Sequence, residues 1–230
     1  MASSAPVGNY DPEGWASHAV DEYTFSDIIV DQYDKTPGCL QAIWDATDVI
    51  NSAPQETLVE AFNLCDATGL GNTSHSDLFL YGLEGLPQMN YPYQIGSMPA
   101  WPVDAVCQIL LDNTSDPVTA AATATSIALS YPLTGDCYPT LDEGPGNVPG
   151  DGPGAGPWGY QSCTETLHLF SSRGREDGGI REYDFDWDVV SSICTEYWSE
   201  YDVQPNPNAF TERYGGETRR GARRRADKLV

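Results

Sequence analysis

The segment Pro102–Asp112, PVDAVCQILLD, decides the fold class. It opens on proline, which suits a first helical turn because the amide N–H there has no partner inside the helix. Val103, Val106, Cys107 and Leu110 then recur at steps of three and four residues, so they share one side of a helix. Immediately downstream, DPVTAAATATSIALSY (116–131) reads as an alanine-rich helix with Asp116 as its cap and Pro117 in its first turn. Upstream, Leu40, Ile43, Trp44, Thr47 and Ile50 keep helical spacing behind a Pro37-Gly38 turn, and Leu58, Phe62 and Cys65 continue it on a second helix. Near the other end, DFDWDVVSSICTEYWSEY (184–201) puts Trp187, Val190, Cys194 and Tyr197 on one stripe. No alternating run of strand length interrupts the middle of the chain. The expected class is mainly α.

The edges read differently. SSAPVGNY (3–10) suits a short strand with its exit, and GPGNVPGDGPGAGP (144–157) is a flexible surface loop by composition. No internal repeat is present. A chain of 230 residues with 40% hydrophobic and 11% aromatic residues suits one good-sized core, or one core with an appendage. No apolar run is long enough to span a membrane. The start, MASSAPVGNYDPEG, has neither the basic region nor the apolar core of a signal peptide.

The formal net charge is -23, from 34 acidic against 11 basic residues. Phosphate binding needs clustered lysine and arginine, so this balance excludes nucleic acid as a partner for the body. The few cations are unevenly placed. Before residue 213 they are Lys35, Arg173, Arg175 and Arg181; the rest are Arg213, Arg219, Arg220, Arg223, Arg224, Arg225 and Lys228. That basic end, 217–230, is expected to be a solvated, disordered tail.

Cys39, Cys65, Cys107, Cys137, Cys163 and Cys194 stand at wide spacings. None forms the C-x-x-C pair of a zinc site, so no metal is expected, and the even number reads as three disulfides made in an oxidising compartment. Two glycosylation sequons agree, Asn72-Thr73-Ser74 and Asn113-Thr114-Ser115. The expectation is a secreted, vacuolar or lysosomal protein whose targeting signal lies outside this chain, a first indication that the sequence is a fragment.

Catalytic patterns are scarce. There is no G-x-S-x-G elbow to hold a serine nucleophile on a strained turn, and no histidine follows His168 to serve as a base late in the chain. A Cys163–His168 pair is set aside because the even cysteine count favours a bridge. In DATGLGNTSHSD (66–77), Asp66, Thr68, Asn72, Ser74 and Asp77 fall at calcium-loop positions around Gly71. Leu70 occupies a ligand position and the last ligand is Asp rather than Glu, so the segment reads as a turn between helices. No cofactor is implied.

PWGYQSCTE (157–165) concentrates two aromatics, an amide, hydroxyls, a cysteine and a carboxylate directly after the glycine-rich loop. It resembles the W-x-Y-Q-x-C-T-E signature of the lysosomal Pro-X carboxypeptidase and dipeptidyl-peptidase II family of serine exopeptidases. Further pieces resemble that family in the same order: ASSAPV (2–7), CLQAIWDATDVI (39–50), NLCD (63–66), MNYPY (89–93), MPAWPVDAVCQIL (98–110), TGDC (134–137) and RYGG (213–216). The resemblance covers residues 2 to 216. It implies a helical, disulfide-linked cap domain inserted in an α/β-hydrolase fold. Residues 1–16 would be a stub of the hydrolase domain, 17–157 the cap ending in its Gly/Pro-rich loop, and 158–216 the return with a second stub. The family's catalytic serine would lie before Met1 and its Asp and His after Gly216.

The resemblance also implies roles. Cys39 pairs with Cys107, Cys65 with Cys137 and Cys163 with Cys194; a fourth family bridge would need cysteines near Gly14 and at Ser171, and both are absent. Trp158, Tyr160, Gln161, Glu165 and His168 become substrate-binding candidates bordering the pocket, whereas Thr164 is read as an anchor and Tyr91 and Tyr93 as core packing. The partners implied are peptides with proline or small residues near the cleaved bond, the missing hydrolase domain, and a second copy in a homodimer. The leading expectation is a fragment of a serine-type exopeptidase that is inactive alone. Its alternatives are a non-catalytic truncated homologue that binds peptides, or an acidic secreted structural module.

Overall fold

The protein is described here by a computed structural model over residues 22–65, 74–131, 133–137, 160–161, 163–164 and 171–206. The chain divides into two compact units. A helical unit takes residues 26–147 and 172–183, and a second unit takes 1–25, 148–171 and 184–230. The helices are α1 (Thr24–Asp34), α2 (Cys39–Ser52), α3 (Gln55–Ala61), α4 (His75–Gly85), α5 (Pro102–Asp112), α6 (Pro117–Leu129) and α7 (Trp187–Tyr197). Among the described residues there is no strand; Ile95–Met98 and Ser172–Tyr183 form isolated antiparallel bridges. The strand expected at 3–10, the loop at 144–157 and the basic tail lie outside the described residues.

In the helical unit the expected stripes face inward. Ile43 and Ile50 of α2, and Val103, Val106 and Cys107 of α5, are buried together with Tyr33, Phe62, Phe79, Leu78 and Leu83. The alanines of α6 have a packing purpose beyond helix propensity. Ala120, Ala121, Ala122 and Ala124 are buried, and a Cβ on Gly82 of α4 would stand 3.1 Å from the Cβ of Ala128. Small residues thus let α4 and α6 approach closely. Asp116 caps α6 by accepting from the Thr119 N–H at 3.2 Å, as its position before Pro117 predicts.

Two helices depart from the expectations. α1 lies in a stretch where no helix is expected from spacing, and α4 starts inside the segment weighed as a calcium loop. Ser74 and Asp77 form a capping box: the Ser74 hydroxyl accepts from the Asp77 N–H at 3.1 Å while Asp77 accepts from the Ser74 N–H at 3.2 Å. α4 is buried on most sides, through Leu78, Phe79, Leu80, Gly82 and Leu83. It therefore lacks the polar face that gives a surface helix its period.

The three disulfides join Cys39 to Cys107, Cys65 to Cys137 and Cys163 to Cys194. These are the pairs that the family resemblance implies.

The helical unit also takes in residues 172–183, a strap closed at its neck by Ser172–Tyr183 backbone hydrogen bonds of 2.7 and 3.0 Å. Its turn depends on two glycines. Gly178 has φ +81, and a Cβ on Gly179 would overlap the Arg173 carbonyl. Three arginines fasten the strap to three helices: Arg173 to Asp27 of α1 at 3.2 Å, Arg175 to Asp48 of α2 at 2.7 Å, and Arg181 to Glu84 of α4 at 3.1 Å. Arg175 also lies 5.4 Å from the centre of the Trp44 ring, whose Nε1 donates to the Gly179 carbonyl at 3.0 Å.

Of the acids on the strap's docking face, Glu84 is the most enclosed, its side chain 20% exposed. Burial raises its carboxyl above the ordinary value; Arg181 and Ser172 pull the other way, and Asp77 adds a smaller upward push. Tyr33, itself raised by burial and then by the Glu84 charge, completes the surroundings. A folded value above the unfolded one means that the penalty of ionising Glu84 is absent below the unfolded value and grows as pH rises through the folded one. Glu84→Gln is therefore expected to gain stability relative to the native protein on going from pH 4.5 to 7.5. Melting curves of both proteins at the two pH values check this. A stability difference that is flat, or that shrinks with pH, would contradict it.

Candidate functional site

The second unit is organised around the Cys163–Cys194 bridge, S–S 2.04 Å. Asp186 fixes the start of α7 by accepting from the Asp188 and Val189 N–H groups at 2.8 and 3.1 Å, so the helix begins at Trp187 rather than at 184. Cys194 then faces inward, and with Cys163, Trp198 and Val203 it forms a small core against which Phe185, Trp187 and Val190 pack. Ser171, where the fourth family bridge would need a cysteine, is buried. Its hydroxyl donates to Glu22 at 2.9 Å and accepts from the Phe185 N–H at 2.9 Å, while its own N–H donates to the Glu22 carbonyl at 3.0 Å. Hydrogen bonds tie these segments together where that covalent link is missing.

The PWGYQSCTE segment meets this core through its described residues. Tyr160, Gln161, Cys163 and Thr164 are helical, and the Thr164 hydroxyl donates to the Tyr160 carbonyl one turn back at 2.9 Å. The Tyr160 ring stands edge-on to Trp198 at 5.4 Å and to Tyr201 at 6.0 Å. Trp198 is buried at 9% exposure, whereas Tyr160 and Tyr201 are 40% and 64% exposed. A fixed indole therefore backs two accessible phenol rings, beside an exposed Gln161. Trp158, Glu165 and His168 lie outside the described residues.

Trp198 and Tyr201 are the residues that spacing alone does not single out. The signal for them is Cys194: its bridge to Cys163 brings the turn after α7 up to the Tyr160 segment. Residues 184–206 carry Asp184, Asp186, Asp188, Glu196, Glu200 and Asp202 with no lysine or arginine. The local field therefore disfavours polyanions.

A second aromatic surface lies in the helical unit. Tyr91 and Tyr93 stack at 5.5 Å, and Tyr93 is 58% exposed, which corrects the expectation of core packing. The cause is the turn that follows, in which Ile95 and Met98 pair around Gly96 at φ +58 and carry Tyr93 outward. Trp101, at φ +50 and 48% exposed, donates its N–H to the Tyr91 carbonyl at 2.7 Å, and Asn90 Oδ1 accepts from the Val103 N–H at 3.3 Å. These hydrogen bonds fasten the loop that carries the exposed rings to the start of α5.

No protein-family model matches the chain. Among curated proteins it is similar to the lysosomal Pro-X carboxypeptidase of Homo sapiens, 25% identical over 230 aligned residues that take in 94% of this chain and 43% of the relative. The lysosomal Pro-X carboxypeptidase of Mus musculus is 26% identical over 237 residues, 94% of this chain and 44% of the relative. The chain thus spans less than half the length of the curated relatives it matches.

Proposed function

We propose that this relative of the lysosomal Pro-X carboxypeptidases supplies the helical cap and part of the peptide-contacting wall of a serine-type exopeptidase. The observation that carries the reading is the pair of exposed rings on Trp198: Tyr160, from the segment that resembles the family signature, and Tyr201, from the turn after α7. A proline ring is compact and apolar, and it packs well on such faces because little conformational freedom remains to be lost. Gln161 offers an amide to a peptide backbone; Trp158, Glu165 and His168, which lie outside the described residues, are candidates for substrate contact on the family resemblance alone. The disulfides, with the lysosomal naming of the relatives, support a protein of the secretory route.

Within these 230 residues the reading assigns binding and orientation, not bond cleavage. Acyl transfer requires a nucleophile, a base to take its proton and donors for the oxyanion, and no nucleophile elbow is encoded here. The purified chain is accordingly expected to bind proline-containing di- and tripeptides without hydrolysing them. Tyr160→Ala should weaken that binding roughly two- to tenfold, the range set by the loss of one ring contact. Its melting temperature should fall by only a few degrees, since Tyr160 is 40% exposed and loses its ring contacts with Trp198 and Tyr201. Intrinsic fluorescence titration with Pro-Phe and Ala-Pro-Phe measures the first quantity. Unchanged affinity in the Tyr160 variant would remove the wall from the proposal. Turnover by the native chain that disappears on replacing one serine would reveal a nucleophile and replace the binding role with catalysis.

A further inference from the structure

We propose that Cys65–Cys137 is a thiol-exchange site, opened by a small uncharged dithiol in the folded protein while the other two bridges stay closed. The inference is independent of the peptide-binding reading. The three bridges differ in access. Cys39 and Cys107 are 0% exposed, and Cys163 and Cys194 are 8% and 3% exposed. Cys65 and Cys137 are both exposed, as are Thr134, Gly135 and Asp136 just before the second cysteine. Exchange requires a thiolate to reach a sulfur of the bridge. At the two buried bridges that approach waits for local opening of the core, which slows it by roughly tenfold or more. At Cys65–Cys137 no such opening is needed.

Non-covalent contacts hold the two cysteines near each other once the bridge is open. Leu64, directly before Cys65, is buried, and the Asn63 side-chain amide donates to the Asp136 carbonyl at 3.1 Å. The helices that lead to the two cysteines, α3 and α6, pack against each other. The buried link between α2 and α5 uses neither sulfur. Charge then narrows the class of reagent. Asp136 adjoins Cys137 in a chain of net charge -23, so an anionic thiol such as glutathione is repelled and an uncharged dithiol is not.

The reaction is a two-electron reduction of the bridge. One thiolate of the dithiol attacks either sulfur, forming a mixed disulfide; the Cys65–Cys137 bond breaks, and the departing cysteine sulfur takes the electron pair and then a proton. The second thiol of the reagent loses its proton and attacks the mixed disulfide. That step closes the reagent into a cyclic disulfide and releases the other cysteine, which is protonated in turn. The dithiol is oxidised by two electrons, and the protein gains two electrons and two protons.

The test is timed reduction of the full oxidised chain by dithiothreitol at neutral pH, quenched with iodoacetamide and read by peptide mass spectrometry. Alkylated Cys65 and Cys137 are expected to appear together, at least about tenfold faster than the other four cysteines. In concentrated guanidinium the three rates should converge, because access is then equal. Equal initial rates in native buffer, or earlier labelling of Cys39 or Cys163, would overturn the site. A rate gap that persists in guanidinium would overturn access as its cause. Glutathione, at matched thiolate concentration, should open the bridge more slowly at low salt, with the gap narrowing as salt is added. A glutathione rate that ignores salt would overturn the preference for an uncharged reagent.

Discussion

Replacing Cys39 and Cys107 together by serine is expected to lower the unfolding free energy by about 4 kcal/mol and the melting temperature by roughly 10 °C. The bridge closes a loop of 68 residues, and the chain-entropy relation assigns a loss of that size to opening it. Both sulfurs are fully buried, so the variant also places two hydroxyls in an apolar interior. The same change at Cys163 and Cys194, separated by 31 residues, should cost only about 0.7 kcal/mol less, because loop entropy grows logarithmically. Denaturant titration of the three proteins checks the order and the size. A loss below about 1 kcal/mol at Cys39–Cys107 would mean that the helical unit hardly depends on it.

Tyr33 is the second place where a single change should be felt strongly. It is fully buried on α1, and its hydroxyl donates to the Leu83 carbonyl of α4 at 2.7 Å. Tyr33→Ala removes a whole ring from the core and is expected to cost about 4 kcal/mol; Tyr33→Phe removes only the bond and should cost about 1 kcal/mol. The gap between the two measures the packing share. Equal costs would show that the hydrogen bond, not the ring, holds α1 against α4.

What could be read from the sequence followed the helices that signal themselves locally. α5 runs between the proline and the asparagine that bound its segment, and α6 starts behind Asp116 as its capping chemistry requires. α4 escaped because burial on most sides erases the polar half of the pattern, and its cap hid inside a passable calcium-loop spacing. The strap escaped for another reason. Arg173, Arg175 and Arg181 pair with acids 146, 127 and 97 residues away, and no local pattern encodes such partners. At the site, the signature segment drew attention to Tyr160. Its backing by Trp198 and Tyr201 depends on which cysteines pair, and spacing alone leaves that open.

The order of the bridges along the chain sets a task for synthesis. Cys39–Cys107 and Cys65–Cys137 interleave, so each native partner is made after an unwanted one. At about 5–20 residues per second, Cys65 is made roughly 2–8 s before Cys107. During that interval Cys65 is available to Cys39, and a bridge between them would be wrong. Where that bridge has formed, the thiolate of Cys107 attacks its Cys39 sulfur, joining Cys39 and setting Cys65 loose for Cys137. Such exchange takes seconds to hours unassisted. Interleaved bridges are therefore expected to make yield respond more to isomerase supply in the host than to how oxidising the compartment is.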